Sequence, residues 1–157
     1  EQDSKVISLS ENGRAIDFVM NDKCAAGTGR FLEVMAQALD VPLKDFGEVS
    51  ARSTVPVQIS NTCTVFAESE VIGLMARKQP KEDIISGLHA SIAGRVIALA
   101  NRLRLADDVV LTGGVALNGG MRDALEKVGG FRLRVPAEPQ IVGALGAAVI
   151  AADEASA

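Results

Sequence analysis

The chain has 157 residues and a formal net charge of −4, and aromatic residues make up only 3% of it, with no Trp or Tyr. This length is enough for one domain with a hydrophobic core. Without a basic cluster or aromatic stacking platforms, the composition argues against a nucleic-acid partner. No apolar run reaches membrane-spanning length, so no membrane partner is expected. Two cysteines give no disulfide framework, which favours the reducing cytoplasm.

The predicted elements begin with a β-hairpin, because Asn12-Gly13 lies between the apolar runs 6–9 and 15–20. Pro80 is predicted to separate two later helices. In chain order, hydrophobic spacing then predicts a helix over 28–39, a short connecting element over 42–50, a short strand over 55–59, and helices over 63–77 and 82–104. The only histidine, His89, falls within the last of these and is expected to be structural.

The remaining third of the chain is predicted to contain a buried strand over 108–111, a helix over 121–128, a strand over 131–135 and a helix of small residues over 141–152. Since strands alternate with helices, the predicted class is α/β, with helices covering a mixed sheet. The helix over 63–77 is expected to bury one apolar face, made of Val65, Phe66, Ser69, Ile72 and Met75.

The two cysteines carry the most specific chemical signal. Cys24 and Cys63 each lie where a polar, turn-like stretch changes to a helical pattern. A thiol at a helix N-terminus meets unpaired N–H groups and the positive end of the helix dipole, both of which favour a thiolate. Two thiols cannot complete a four-thiolate metal site, but two chains related by a two-fold axis can. The alternative for each is a buried free thiol.

Two glycine motifs favour a nucleotide site. Gly27-Thr28-Gly29 precedes a helix, where phosphate groups approach backbone N–H groups, although a tight turn is the alternative. Thr112-Gly113-Gly114 ends a strand, at the sheet edge where ligands commonly lie, and the alternative there is an ordinary strand-to-helix turn.

In order along the chain, these stretches resemble the activator components of 2-hydroxyacyl-CoA dehydratases and the related ATPase subunits of benzoyl-CoA reductase, the BadF/BadG/BcrA/BcrD type of ATPase. The most specific matches are residues 20–31 and 61–70, around the two cysteines; residues 2–5, 112–118 and 143–147 also match. The resemblance implies a ribonuclease-H-like lobe of the acetate kinase, sugar kinase, Hsp70 and actin superfamily. The family has an N-terminal lobe with an Asp-x-Gly phosphate motif, so residues 1–157 are expected to form a single C-terminal lobe, inactive alone as an ATPase.

The resemblance also implies site residues. Cys24 and Cys63 would be metal ligands of a [4Fe–4S] cluster shared by the two subunits of a homodimer. Gln2 and Asp3 match the tail of a phosphate motif and would be catalytic. The nucleotide-binding residues expected for ATP or ADP with Mg²⁺ are Gly27, Thr28, Gly29, Arg30, Thr112, Gly113, Gly114 and Asn118.

The function implied by the resemblance is ATP hydrolysis coupled to one-electron transfer into an acyl-CoA dehydratase or reductase. Reduced ferredoxin or flavodoxin would supply the electron. One alternative is a fragment of a sugar-kinase-like phosphotransferase, which leaves the cysteines unexplained. The other is a non-enzymatic scaffold in which a metal such as zinc bridges two chains through the same thiolates.

Overall fold

The structure is a computed structural model that describes residues 3–21, 25, 27–60, 63–103, 105 and 108–156. The elements are β1 (Lys5–Leu9), β2 (Ala15–Met20), α1 (Gly29–Leu39), α2 (Phe46–Ser50), α3 (Thr64–Ala76), α4 (Lys81–Ala100), β3 (Val109–Val110), α5 (Gly119–Gly129), β4 (Leu133–Arg134) and α6 (Val142–Ala155). Single 3₁₀ turns precede α2 and α5. The order of helices and strands follows the sequence prediction closely.

The predicted β-hairpin is confirmed. β1 and β2 pair antiparallel, with Ile7 opposite Phe18. The turn between them closes through the Gly13 N–H, which donates to the Ser10 carbonyl, and Gly13 has a φ of 74°. This left-handed conformation favours glycine, which explains the Asn-Gly signal. Both Ile7 and Phe18 are more than half exposed.

Helix α4 is the centre of the hydrophobic core. It packs against α2 and α5, while α1 packs against α3. By length and composition α4 could span a membrane, but 56% of its apolar window is buried inside the protein, as in a core helix. The fully buried side chains of the core include Leu32, Met35, Leu39, Phe46, Val71, Ile84, Ile85, Leu88 and Met121. His89 is buried among them, as the sequence predicts for a structural residue.

A second, two-stranded sheet is formed by β3 and β4, which pair in parallel with Val109 opposite Leu133. The strand expected at 108–111 is present as β3, but the expectation that it is buried is wrong, because Val110 is 55% exposed and Val109 is only half-buried.

The expected strand over 55–59 is also wrong, since the structure has no regular element there. The backbone N–H groups of this segment bond to another part of the chain. The Val55 N–H donates to the Asp83 carboxylate and the Val57 N–H to the Asp83 carbonyl. Because these donors are satisfied by the start of α4, no ladder with a strand is formed.

The predicted buried face of α3 is wrong as well. Ala67, Val71 and Leu74 are buried, whereas Val65 and Phe66 are 66% and 63% exposed. Hydrophobic periodicity identifies the buried face of a helix only when the opposite face is polar, and α3 has no continuous polar face. The exposed apolar side chains Val65, Phe66 and Ile72 therefore lie on the outside of the described structure.

Candidate functional site

Cys63 is the N-cap residue of the 13-residue helix α3. Its backbone is extended, with φ −79° and ψ 134°, and its carbonyl accepts the first helical bond from the Ala67 N–H at 2.8 Å. The Cys63 side chain makes no capping hydrogen bond to the N–H groups of this first turn. The thiol is free and half-buried. A thiolate here faces the positive end of a helix, the environment in which a cysteine is reactive or ligates metal.

Residues at the start of α3 fit a metal-bound thiolate. Thiolate sulfur is the donor that iron–sulfur clusters require. The next side chain, Thr64, buries a hydroxyl oxygen that has no hydrogen-bond partner, which is an uncommon state for a buried polar atom. Within the part of the chain that the structure describes, no group of three or more His, Cys, Asp or Glu residues could hold a metal ion by itself. A cluster site at Cys63 therefore needs further thiolates.

The other predicted metal ligand, Cys24, lies outside the described residues, as does the predicted catalytic residue Gln2. The helices that follow the two cysteine motifs do come together, because α1 packs against α3. Phe31 and Leu32 of α1 share one core cluster with Ala67 and Val71 of α3.

The Gly27-Thr28-Gly29 motif forms the entry to α1. Gly27 has a φ of 91°, which a residue with a side chain rarely adopts. Thr28 is the N-cap residue but is buried, and its hydroxyl donates back to the Ala25 carbonyl at 2.6 Å. Arg30 points along the surface and pairs with Glu33 at 2.8 Å. The Thr28 side chain does not cap the first N–H groups of α1, an arrangement compatible with anion binding.

Ser4, which the sequence analysis did not single out, connects two predicted motifs. It directly follows Asp3, whose exposed carboxylate lies 3.7 Å from Lys5 Nζ. The Ser4 hydroxyl donates to the Gly27 carbonyl at 2.8 Å, and its N–H donates to Asn21 Oδ1 at 2.7 Å. Ser4 thus holds the residues on both sides of segment 22–26. The hydrogen bonds of Ser4 could not be predicted from the sequence, because its partners are 17 and 23 positions away.

Thr112, Gly113 and Gly114 follow β3, as predicted. Gly113 is buried, has a φ of 90°, and donates its N–H to the Pro139 carbonyl at 2.7 Å. The exposed Thr112 precedes it, and the 3₁₀ turn starting at Gly114 leads to Asn118. The conformation at Gly113 is one that only glycine adopts without strain.

Asn118 has two partners within the chain. Its Oδ1 accepts from the Met121 N–H at 3.1 Å and caps α5, and its Nδ2 lies 3.2 Å from His89 Nε2. The capping bond assigns the amide orientation, so Nδ2 donates and His89 Nε2 accepts. The proton of neutral His89 is then on Nδ1, which is buried without a partner. Burial lowers the pKa of His89 to about 4.

Comparison with known proteins gives one consistent relationship. A family model described as the BadF/BadG/BcrA/BcrD ATPase family matches residues 2–151. The (R)-2-hydroxyglutaryl-CoA dehydratase activating ATPase of Acidaminococcus fermentans is 55% identical over 155 residues, which are 99% of this chain and 59% of that protein.

Two solved structures are similar to this one over 99% of the chain. The activator of the 2-hydroxyisocaproyl-CoA dehydratase from Clostridium difficile, with bound ADPNP, is 50% identical with a TM-score of 0.94, and 58% of that chain is covered. Component A of the Acidaminococcus fermentans (R)-2-hydroxyglutaryl-CoA dehydratase is 54% identical with a TM-score of 0.95, and 60% is covered. These neighbours confirm the predicted fold class, and the chain spans less than two thirds of their length.

Proposed function

Because the chain belongs to the BadF/BadG/BcrA/BcrD ATPase family, we propose that the protein containing it is an iron–sulfur ATPase activator. It couples ATP hydrolysis to one-electron transfer into an acyl-CoA dehydratase or reductase. The observation that carries the proposal is Cys63, a free thiol at the N-cap position of α3, in a chain 55% identical to a dehydratase activating ATPase.

A [4Fe–4S] cluster, when bound, supplies reversible one-electron storage. The chain contributes the Cys63 thiolate, and Cys24 would contribute another. N–H groups in the first turn of α3, which the Cys63 side chain does not cap, would stabilise negative charge on a bound sulfur, and the helix dipole would act in the same direction. Both effects favour the reduced state and raise the reduction potential.

A homodimer would supply the thiolates that a cluster needs, since four are needed and residues 1–157 contain two cysteines. The surface beside Cys63 supports a second copy of this chain as the occupant. Val65 and Phe66, in the first turn after the cysteine, are both more than 60% exposed. Two such turns related by a two-fold axis would bury these apolar side chains around the shared thiolates.

The nucleotide would be ATP or ADP with Mg²⁺. The solved relative with bound ADPNP supports this part of the proposal. Gly113 has no side chain and a positive φ, so that a nucleoside could lie against the backbone at this strand end. Asp3 would act near the phosphates. Ser4 is hydrogen-bonded to the residues on both sides of segment 22–26. A movement of the Asp3 segment on ATP hydrolysis could therefore be transmitted to the Cys24 motif.

The partner would be an acyl-CoA dehydratase or reductase component, with reduced ferredoxin or flavodoxin as electron donor, in the cytoplasm. Anaerobic purification of the full-length protein tests the central claim. We expect a brown protein with about two irons and two acid-labile sulfides per chain, and about one cluster per dimer. A colourless protein with bound zinc would contradict the electron-transfer function and favour the scaffold.

A further inference from the structure

The segment 53–60, which connects α2 to the Cys63 motif, is held in place by contacts with α3 and α4. It has no helix or strand of its own. A segment of this kind keeps one conformation only where other parts of the chain satisfy its backbone groups.

The first anchor is Asp83 in the first turn of α4, which is 7% exposed. A single carboxylate oxygen, Oδ1, accepts from the Ser53 hydroxyl at 2.7 Å and from the N–H groups of Thr54 and Val55 at 3.1 and 3.2 Å. The Ser53 hydrogen bond is the largest cause that lowers the pKa of Asp83, so this side chain is ionised at neutral pH. The carboxylate therefore fixes the beginning of the segment.

The second anchor is a close approach of two backbones. A side chain at Gly87 would overlap the carbonyl oxygen of Val57, so the segment lies directly on α4. Two residues later, Ile59 is 9% exposed and belongs to the core cluster. The middle of the segment is thereby held against α4 by packing.

The third anchor is closest to the cysteine. Glu70 Oε1 accepts from the Ser60 N–H at 3.0 Å and from the Ser60 hydroxyl at 2.9 Å. Glu70 lies on α3, seven residues after Cys63, so both are on the same side of the helix about two turns apart. The carboxylate ties the end of the segment back to the helix that Cys63 caps.

We propose that Glu70 is a positioning residue for the Cys63 thiol, with Asp83 and Gly87 holding the opposite end of the segment. Only residues 61 and 62 separate Ser60 from the cysteine, so fixing Ser60 limits where the thiol can be. This role rests on the proposed function, because a cluster shared between two chains needs thiolates held at fixed positions before it assembles.

The test measures the alkylation rate of each cysteine in the metal-free, full-length protein. Iodoacetamide labelling is followed by peptide mass spectrometry over a range of pH, and the rate for Cys63 is expressed relative to that for Cys24. We expect Glu70→Ala to raise this ratio about fivefold at the high-pH plateau, since loss of a typical hydrogen bond changes an equilibrium by that order. Glu70→Gln keeps an acceptor oxygen and should stay within about twofold of the wild type.

Glu68→Ala is the matched control, because it removes the same charge from the same helix two residues away. It should leave the plateau ratio unchanged. Equal ratios in Glu70→Ala and Glu68→Ala, or a change confined to the pH midpoint of the reaction, would overturn the positioning role. Global unfolding would raise both cysteine rates and leave no selective effect at Cys63, which also counts against it.

A second measurement follows iron loss from the anaerobic protein to a chelator. Glu70→Ala should lose iron several-fold faster than Glu68→Ala, and equal rates contradict the proposal. If the wild type carries no iron, the proposed electron-transfer function fails, while the alkylation ratios still decide the role of Glu70.

Discussion

At the scale of single residues, the most constrained polar group in the core is His89. Its Nε2 accepts from Asn118, its Nδ1 is unpartnered, and only 2% of the residue is exposed. Protonation would place a charge in the core and turn the acceptor Nε2 into a second donor facing an amide N–H. Both effects favour the neutral ring, and burial is the cause that lowers the pKa of His89 to about 4.

The first prediction is a loss of stability in mild acid. The ordinary pKa of His is 6.5 and the folded value is about 4, so below pH 6.5 the unfolded chain binds a proton that the folded chain does not. Stability is full above pH 6.5 and falls as the pH decreases towards 4. Between pH 7 and pH 5 we expect a loss of roughly 2 kcal/mol in the free energy of unfolding, measured by urea titration.

His89→Gln removes the titrating ring and serves as the comparison. Its stability should change much less between pH 7 and pH 5, whatever its absolute value. Residues 1–157 contain one histidine, so no other His of this sequence contributes in this range. A variant with the wild-type slope would show that the pH dependence comes from other groups.

A second prediction concerns the strand end at Gly113 and Gly114. A β-branched residue at Gly113 cannot easily adopt a φ of 90°, and a Cβ at Gly114 would lie 3.4 Å from the Gln140 side chain. Gly113→Val and Gly114→Val should therefore weaken ADP binding to the full-length protein at least several-fold, measured by calorimetric titration. Iron content should remain at the wild-type level, and unchanged ADP affinity in both variants would make this pair of glycines a simple turn.

At the scale of elements, the sequence predicts correctly those features that depend on local residues, and it fails where the structure depends on contacts with distant residues. Asn12-Gly13 predicted the hairpin and Pro80 separated α3 from α4, because each acts through its own backbone. The segment 55–59 was predicted as a strand because its apolar residues alternate, but its N–H donors bond to Asp83, about thirty positions away. No pattern within the segment contains that partner.

The same difference between local and long-range determinants applies to the prediction of site residues from the sequence. The N-cap position of Cys63 followed from the change between polar and helical patterns, and the structure confirms it. Glu70 and Ser4 were not predicted as functional, since their importance depends on partners 10 to 23 positions away in the chain. The buried face of α3 could not be selected either, because both sides of that helix are apolar and the choice is made by packing against α1.

The third prediction compares two glycines of the same helix. Gly87 faces the Val57 carbonyl, whereas nothing lies within 4 Å of a side chain built at Gly94. Gly87→Ala should destabilise the protein by about 1–3 kcal/mol through overpacking. Gly94→Ala should stabilise it by up to about 1 kcal/mol through higher helix propensity. Thermal unfolding of both variants is the measurement, and equal effects would exclude the close contact between α4 and segment 53–60.

At the scale of the whole molecule, the fold gathers the two cysteine-motif helices on one side of the core. α1 and α3 pack directly, and α4 supports the segment that leads into α3. The N-cap residues of α1 and α3, Thr28 and Cys63, make no side-chain hydrogen bond to the first turn of their helices. Two chains that approach through these helix starts would supply thiolates and N–H donors to one shared site.

The last prediction tests this symmetry directly. Cys24→Ser and Cys63→Ser should each abolish cluster binding in the full-length protein, because the two-fold axis turns each single substitution into the loss of two of about four thiolates. Serine is nearly isosteric with cysteine, so Cys63→Ser should keep the N-cap conformation of α3 and the thermal stability of the metal-free protein. Iron and sulfide analysis after anaerobic purification is the measurement, with sedimentation to report the dimer. A variant that keeps near-stoichiometric iron and sulfide would mean that its cysteine lies outside the cluster, and the bridging arrangement would have to be abandoned.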